Sequence, residues 1–322
     1  MFVTFAGSPD RVEARLVPDA GYELDTFRIS GFPRKPTPAL LTALFRAGVA
    51  PVACRSILRR RRPDVVFGGG GYVAGPMVLA ARTLRIPAAL SEADAHLGLA
   101  NRLAAPFAER VYLAYPLPGV DDAKYRVVGR PIPERAQLVP RSRARAIFEL
   151  PPDAPVLLVA GALAGAHSLN ELVVEAFGSV GPAILHLTGK RDYDLVRQRV
   201  QREDYVVIPE TERIGAAYSA ADLVLSRAGS SVFELAAAGK PAILVPYPFA
   251  TGDHQARNAE HFVRAGGAIM VSDLDVEDVP DHVRSLLGDA TRLEQMGKAM
   301  LLAAKPHAAD EIAEGLIELA TA

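Results

Sequence analysis

Residues 226–262, SRAGSSVFELAAAGKPAILVPYPFATGDHQARNAEHF, gather side chains suited to holding a polyhydroxylated anion. Arg227, Gly229 and Ser230 follow an apolar run and precede a helical pattern. Backbone N–H groups and the positive end of a helix favour a diphosphate at such a place. Glu234 falls on the first turn of that helix. It can serve as a dipole partner there, or as a carboxylate accepting hydrogen bonds from ribose hydroxyls. The next apolar run ends in Pro246-Tyr247-Pro248, after which His254, Gln255 and Asn258 follow closely. A lone loop histidine would carry little meaning, but with two amides beside it the group can read sugar hydroxyls.

Two further loops have the composition of anion cradles. Gly68-Gly69-Gly70-Gly71-Tyr72 follows the apolar run 65–67 and opens a helical pattern. Four glycines let the main chain turn sharply and approach a ligand without Cβ clashes. Gly161 to Gly165, in VLLVAGALAGAHSLNE, stands in the same context. It is the weaker signal, because close helix–strand packing explains its glycines nearly as well.

These loops need strands to place them. Short apolar runs at 65–67, 88–90, 111–113, 156–160, 184–187, 205–208, 223–225 and 243–245 read as buried parallel strands. Helical patterns at 37–61, 74–84, 98–106, 168–178, 212–220, 230–238 and 254–265 lie between them. That alternation predicts an α/β fold with a doubly wound parallel sheet, occurring twice. The Pro-rich, charged stretch GRPIPERAQLVPRSRARAIFELPPDAP interrupts it, and the linker is expected at about 133–150. The expected division is 1–135, 136–305 and a final segment 306–322. The chain opens with a strand at 2–5, leaving no room for the strand–glycine loop–helix unit that normally begins a nucleotide-binding half.

Composition narrows the function classes. Half of the 322 residues are hydrophobic and the net charge is −1, ample for two cores without metals. The single cysteine, Cys54, excludes an internal disulfide framework and argues against a thiolate metal site. No secretory signal pattern and no run of about 18 apolar residues is present, so the chain reads as soluble. Residues 1–140 carry 19 Lys+Arg against 12 Asp+Glu, and the remainder 17 against 25. A basic first half suits an anionic acceptor or membrane surface, though an ordinary arginine-rich surface explains it equally well. The Arg59–Arg62 run reads as a solvated helix end.

The segment SRAGSSVFELAAAGKPAILVPYPFATGDHQARNA resembles the donor motif of the MurG family of N-acetylglucosaminyltransferases, with its Ser-Arg-x-Gly, later Glu, Gly-x-Pro, Val-Pro, Gln and Asn-Ala. GGGGYVAGP and SEADAHLGLANR are similar to the family's second glycine loop and acceptor motif, and VVGRPIPE and GALAGAHSLNE to segments flanking its linker. The resemblance implies a GT-B architecture, two Rossmann-like doubly wound domains facing across a cleft, with the C-terminal helix crossing back to the first domain. It implies an inverting, metal-independent transfer without a cofactor, from UDP-N-acetylglucosamine to undecaprenyl-pyrophosphoryl-N-acetylmuramyl-pentapeptide in peptidoglycan synthesis. No nucleic acid is implied. Donor contacts would come from Arg227, Gly229, Ser230, Glu234, His254, Gln255, Asn258, Gly161 and Gly165. Acceptor contacts would come from Gly70, Gly71, Tyr72, Glu92 and Asn101.

The departures from the family pattern are specific. Its opening glycine loop, with the histidine that is the usual candidate base, has no counterpart, as though the chain began near the family's second strand. Ser91, Ala93 and Asp94 stand where the acceptor motif has His, Gln and Asn, while Glu92, Gly98, Asn101 and Arg102 match. The donor-contacting arginine falls on Pro133, with Arg135 two residues later, and Leu163 and Ala164 replace a Ser and a Gln. His96, Asp94 and Glu92 are the substitutes available as a base. Two alternatives stay open: another GT-B enzyme, such as a glycolipid glycosyltransferase or a UDP-N-acetylglucosamine 2-epimerase, or an inactive UDP-sugar-binding relative. The family docks peripherally on the cytoplasmic membrane face, and Leu40, Leu41, Leu44 and Phe45 beside the arginines of 38–62 could supply that surface or simply pack on the sheet.

Overall fold

The computed structural model describes residues 2–29, 38–120, 123–161 and 166–322, without the side chains of 38–47 and 251. Leu40, Leu41, Leu44, Phe45, Leu163, Ala164 and Gly165 therefore lie outside the described residues or side chains. The chain forms two compact units, one of Met1–Val128 with Asp310–Ala322 and one of Gly129–Ala309.

The first unit runs β1 (Phe5–Gly7), α1 (Glu13–Asp19), β2 (Leu24–Thr26), α2 (Pro38–Arg61), β3 (Val66–Gly68), α3 (Gly71–Leu84), β4 (Ala88–Glu92), α4 (Leu99–Ala104), β5 (Arg110–Leu113) and β6 (Tyr125–Val127). β3 to β6 make one parallel sheet in sequence order, while among the described residues β1 and β2 pair only with each other. Both sheets back onto one apolar cluster. Phe27 and Ile29 beyond β2 join Ala50, Cys54, Ile57 and Leu58 of α2, Val78 of α3 and Leu90 of β4. Burial there pushes the Cys54 thiol up to about 12, so it behaves as a small core hydrophobe. The arginine run ending α2 is partly committed: Arg60 and Arg61 clamp Asp25 of β2 at 2.6 and 2.7 Å, and Arg61 also pairs with Glu23. The Arg61 hydrogen bond holds the Asp25 carboxyl below its ordinary range.

The second unit begins with a 134–136 turn and α5 (Arg141–Ile147). Then come β7 (Val156–Ala160), α6 (His167–Phe177), β8 (Ala183–Leu187), α7 (Tyr193–Arg199), β9 (Tyr205–Ile208), α8 (Ile214–Ala220), β10 (Leu223–Ser226), α9 (Val232–Ala237), β11 (Ala242–Leu244), α10 (His254–Arg264), β12 (Ala268–Met270), α11 (Val279–Leu287) and α12 (Ala290–Ala303). Its parallel sheet has the order β12-β11-β10-β7-β8-β9. The first strand is central and the order reverses between β7 and β10, the doubly wound arrangement. Continuous apolar runs such as Val156-Leu157-Leu158-Val159 fit because both faces of such a sheet are covered.

The stretch expected as a linker, 133–150, is folded into this unit. Arg145, 2% exposed, donates to the carbonyls of Pro151, Pro152 and Ala220 and to the Asp222 carboxylate, so its charge is fully used inside. Chain passage between the units falls at 128/129 and 309/310, earlier and later than the expected 135/136 and 305/306.

α13 (Ala308–Thr321) places its residues from Asp310 onward in the first unit. Ile312 packs with Ala89, Tyr112 and Val128, and Arg110 of β5 donates to the Gly315 carbonyl at 2.9 Å and pairs with Glu318 at 2.7 Å. Gly315 permits this approach: a Cβ there would run into the Tyr112 hydroxyl and lie 2.8 Å from the Arg110 guanidinium. Gly315→Ala is therefore expected to destabilise the chain by about 1–3 kcal/mol through overpacking. Denaturant unfolding of the two proteins checks this; an unchanged midpoint would show that α13 shifts without cost.

Candidate functional site

The reversal between β7 and β10 creates a crevice beyond their carboxyl ends, the place where open α/β sheets bind ligands. Here the two ends touch: Ser226 Oγ at the end of β10 donates to the Ala160 carbonyl at the end of β7, 2.8 Å away. Gly161 is buried directly after β7. After β10 the chain makes the 227–231 turn into α9. A Cβ on Gly229 would meet nothing within 4 Å, and Ser230 is exposed, so this turn faces open space.

Arg227 stands at the root of the turn but points inward, 7% exposed. Its Nη1 donates to the carbonyls of Val245 and Pro246 at 3.2 and 3.1 Å and to Asp273 Oδ1 at 2.5 Å. Its Nη2 donates to Ser168 Oγ on α6 at 2.7 Å. The residue expected against a diphosphate thus spends its fork on protein groups, and the Tyr247 ring lies 5.7 Å from its carbon centre. Asn258 is fully buried and its amide reaches the Ala228 carbonyl at 3.4 Å. Gln255 Oε1 accepts from the Tyr247 amide at 2.8 Å, which fixes the turn after β11. His254, half-exposed, begins α10 beside them. Arg227, Asn258 and Gln255 frame the crevice; Gly229, Ser230 and Glu234 border its open side.

Glu234 is held on α9 with its side chain 11% exposed. The Tyr218 hydroxyl of α8 donates to its Oε2 at 2.9 Å, and Arg135 comes to 4.0 Å from its Oε1. Neither neighbour was singled out from sequence as a contact. Ser168 and Asp273 were missed as well; Ser168 lies in the first turn of α6 and Asp273 shortly after β12.

Beneath α6 lies a directional polar chain. Asn170 Oδ1 can only accept, so His186 Nε2 donates to it at 2.9 Å and Nδ1 accepts from the Tyr205 hydroxyl at 2.8 Å. The Asn170 amide donates to the Thr188 carbonyl and to Asp192 Oδ2. Asp192 also meets His167 at the start of α6. Burial holds the imidazole neutral and pushes its pKa down to about 3.

In the first unit, the glycines divide into two roles. A Cβ on Gly68 would strike Leu90 and Ala74, so this glycine serves packing. Gly70 and Gly71 have φ of 98° and 69°, and Gly71 borders open space. Tyr72 is half-buried at the start of α3. Glu92 is 7% exposed and fully engaged: Oε1 accepts from the Asp94 amide, and Oε2 from the Gly98 amide and Asn101 Nδ2. Asn101 also donates to the Ser91 carbonyl at 2.9 Å. The structure thus gives Glu92 and Asn101 the work of shaping the 93–98 loop, which carries Asp94 and His96. Among the described residues no three His, Cys, Asp or Glu side chains gather as a metal ion would need.

Comparison with known proteins places this geometry in context. The glycosyltransferase family 28 N-terminal domain matches residues 2–113, and the glycosyltransferase family 28 C-terminal domain matches residues 156–312. The chain is similar to the UDP-N-acetylglucosamine–N-acetylmuramyl-(pentapeptide) pyrophosphoryl-undecaprenol N-acetylglucosamine transferase of Nocardioides sp., 40% identical over 98% of this chain and 89% of the relative. The crystal structure of Acinetobacter baumannii MurG is similar with a TM-score of 0.81 at 28% identity, covering 98% of this chain and 91% of that one. A UDP-GlcNAc 2-epimerase from Neisseria meningitidis shares the fold, with a TM-score of 0.61 and 13% identity over 98% of this chain and 99% of its own.

The buried His186 makes stability depend on pH. Its folded pKa lies below the ordinary 6.5, so the unfolded chain takes up a proton first as pH falls. Its contribution is complete above pH 6.5 and is lost toward about 3, by about 1.4 kcal/mol per pH unit. Denaturant unfolding at pH 7.5 and pH 5 should show that loss, and His186→Gln should have a shallower slope. Equal slopes would mean the imidazole protonates within the fold.

Proposed function

The chain belongs to the MurG family of glycosyltransferase family 28, and from that premise we propose that it transfers N-acetylglucosamine from UDP-N-acetylglucosamine to undecaprenyl-pyrophosphoryl-N-acetylmuramyl-pentapeptide, a step of peptidoglycan synthesis. The observation that carries the reading is the open turn Gly229–Ser231 at the reversal of a doubly wound sheet, beside a held carboxylate, Glu234. The diphosphate lies against the backbone N–H groups of that turn and Ser230. Glu234 accepts from the ribose hydroxyls. His254 reads the sugar, while Arg227, Gln255, Asn258 and Gly161 keep the surrounding turns in place.

The acceptor belongs to the first unit, along Gly70, Gly71 and Tyr72 and the loop that Glu92 and Asn101 shape. An acceptor hydroxyl attacks C1 of the donor sugar, the C1–oxygen bond to UDP breaks, and the configuration inverts. Negative charge developing on the leaving diphosphate is met by fixed N–H dipoles, which act strongly where water is excluded. The proton goes to a base for which Asp94 and His96 are the candidates, Glu92 being occupied by the loop backbone.

The lipid tail of the acceptor places the chain peripherally on the cytoplasmic membrane face. No described helix is long and apolar enough to cross a membrane. Val52 of α2 and Leu99 and Leu103 of α4 are 69, 52 and 61% exposed, with Arg59 and Arg102 also exposed. Apolar side chains edged by arginine suit an anionic interface.

Three measurements test these readings. UDP release from UDP-N-acetylglucosamine should require the lipid-linked acceptor, and Glu234→Ala should weaken donor binding about 10- to 100-fold, as loss of charged hydrogen bonds does. Release without acceptor, or unchanged donor affinity, would overturn the assignment. The chain should also sediment with anionic vesicles, less so at high salt or as Leu103→Asp; indifference to all three would remove the membrane contact.

A further inference from the structure

The surroundings of Glu234 contain a device that the sequence did not mark. α8 sends the Tyr218 hydroxyl to Glu234 Oε2 at 2.9 Å, from a ring only 2% exposed. The same helix fixes the opposite neighbour. Gly215 has no side chain, and the Ala136–Gln137 backbone packs into the space a Cβ would fill. Ser219 Oγ accepts from the Val139 amide at 3.1 Å and itself donates to the Gly215 carbonyl at 2.8 Å. These contacts hold the 134–136 turn on α8, and that turn presents Arg135 4.0 Å from Glu234 Oε1. Arg135, half-exposed, is the arginine standing two residues beyond the position where the sequence pattern expects one.

We infer that Tyr218 is a positioning residue for donor recognition: it holds one oxygen of Glu234 so that the other, flanked by Arg135, accepts from the ribose of a uridine diphosphate sugar, and the pair thereby selects ribose over deoxyribose nucleotides. A carboxylate on a short helix would otherwise swing among rotamers, and an acceptor aimed in advance loses less entropy on binding. A hydroxyl donor holds one oxygen without adding a second cation to the Arg135 guanidinium already beside the other. Sites built around such a hydrogen bond reject analogues lacking the partner hydroxyl, because the buried acceptor is left unpaired.

The inference rests on the donor reading above, and the test separates the two. Tyr218→Phe removes only the hydroxyl. KM and kcat would be measured with UDP-N-acetylglucosamine, and binding with analogues lacking the ribose 2′- or 3′-hydroxyl. The expected result is a KM raised about three- to tenfold, the cost of ordering one side chain on binding, with kcat within twofold. Discrimination against at least one deoxy analogue should fall by a similar factor, and Tyr218→Phe should add nothing to Glu234→Gln. Wild-type KM in Tyr218→Phe, or equal weakening toward ribose and deoxyribose donors, overturns the positioning role while leaving the donor site intact. Wild-type affinity in Glu234→Ala overturns the donor site itself, and this inference with it.

Discussion

Arg227 is where the carboxyl ends of β7, β10, β11 and β12 are tied together. Its planar fork reaches Ser168 beyond β7, two carbonyls beyond β11 and Asp273 beyond β12, from a root beyond β10. A lysine could satisfy only part of this set, since its ammonium is a single point on a flexible stem. Turns at the end of a sheet are otherwise its least constrained part, with backbone groups that lack ladder partners. By spending one buried charge on four turns, the second unit obtains a crevice whose wall is fixed before any ligand arrives. Asn258 and Gln255 extend the same logic to Ala228 and Tyr247. What borders the open side of the crevice is the main chain around Gly229 together with the Glu234 carboxylate.

The sheet of the second unit was legible because its strands are continuous apolar runs, and Val156–Ala160 and Tyr205–Ile208 fall on the expected residues. β2 and β6 carry no such signal: Leu24–Thr26 and Tyr125–Val127 are at most half-buried, so little hydrophobic pattern marks them, whereas β12 is a short apolar run that was not read as a strand. The Pro-rich stretch misled for a physical reason. Proline and arginine look like a solvated linker, yet Arg145 is a buried hub whose partners are carbonyls that sequence cannot place. The glycine loops were legible as loops. Their division was not, since whether a glycine is needed for packing, as Gly68, or for φ and open space, as Gly71, depends on neighbours from other elements. The same holds for Glu92, whose three donors include two backbone amides on the following loop.

Among the described residues the first unit is built on two ladders rather than one. There β1 and β2 make a separate parallel pair, and β3 pairs with β4. Side chains hold what the ladder does not: Phe27 and Ile29 insert into the cluster behind β3 and β4, and Asp25 is gripped by the end of α2. The second unit has six strands in one ladder, and there Arg141 and Arg145 grip Asp222 in the same way.

The docking of α13 has a consequence for biosynthesis. Residues 310–322 complete the first unit, yet the ribosome makes them after the whole of 129–309. Domains assemble in order of emergence where they can. The face formed by Ala89, Tyr112 and Val128 must therefore wait, uncovered, while the other unit is translated. Of the two units, the one translated earlier reaches its final state later, and a lesion near residue 315 would be felt some two hundred positions upstream, at Arg110 and Tyr112.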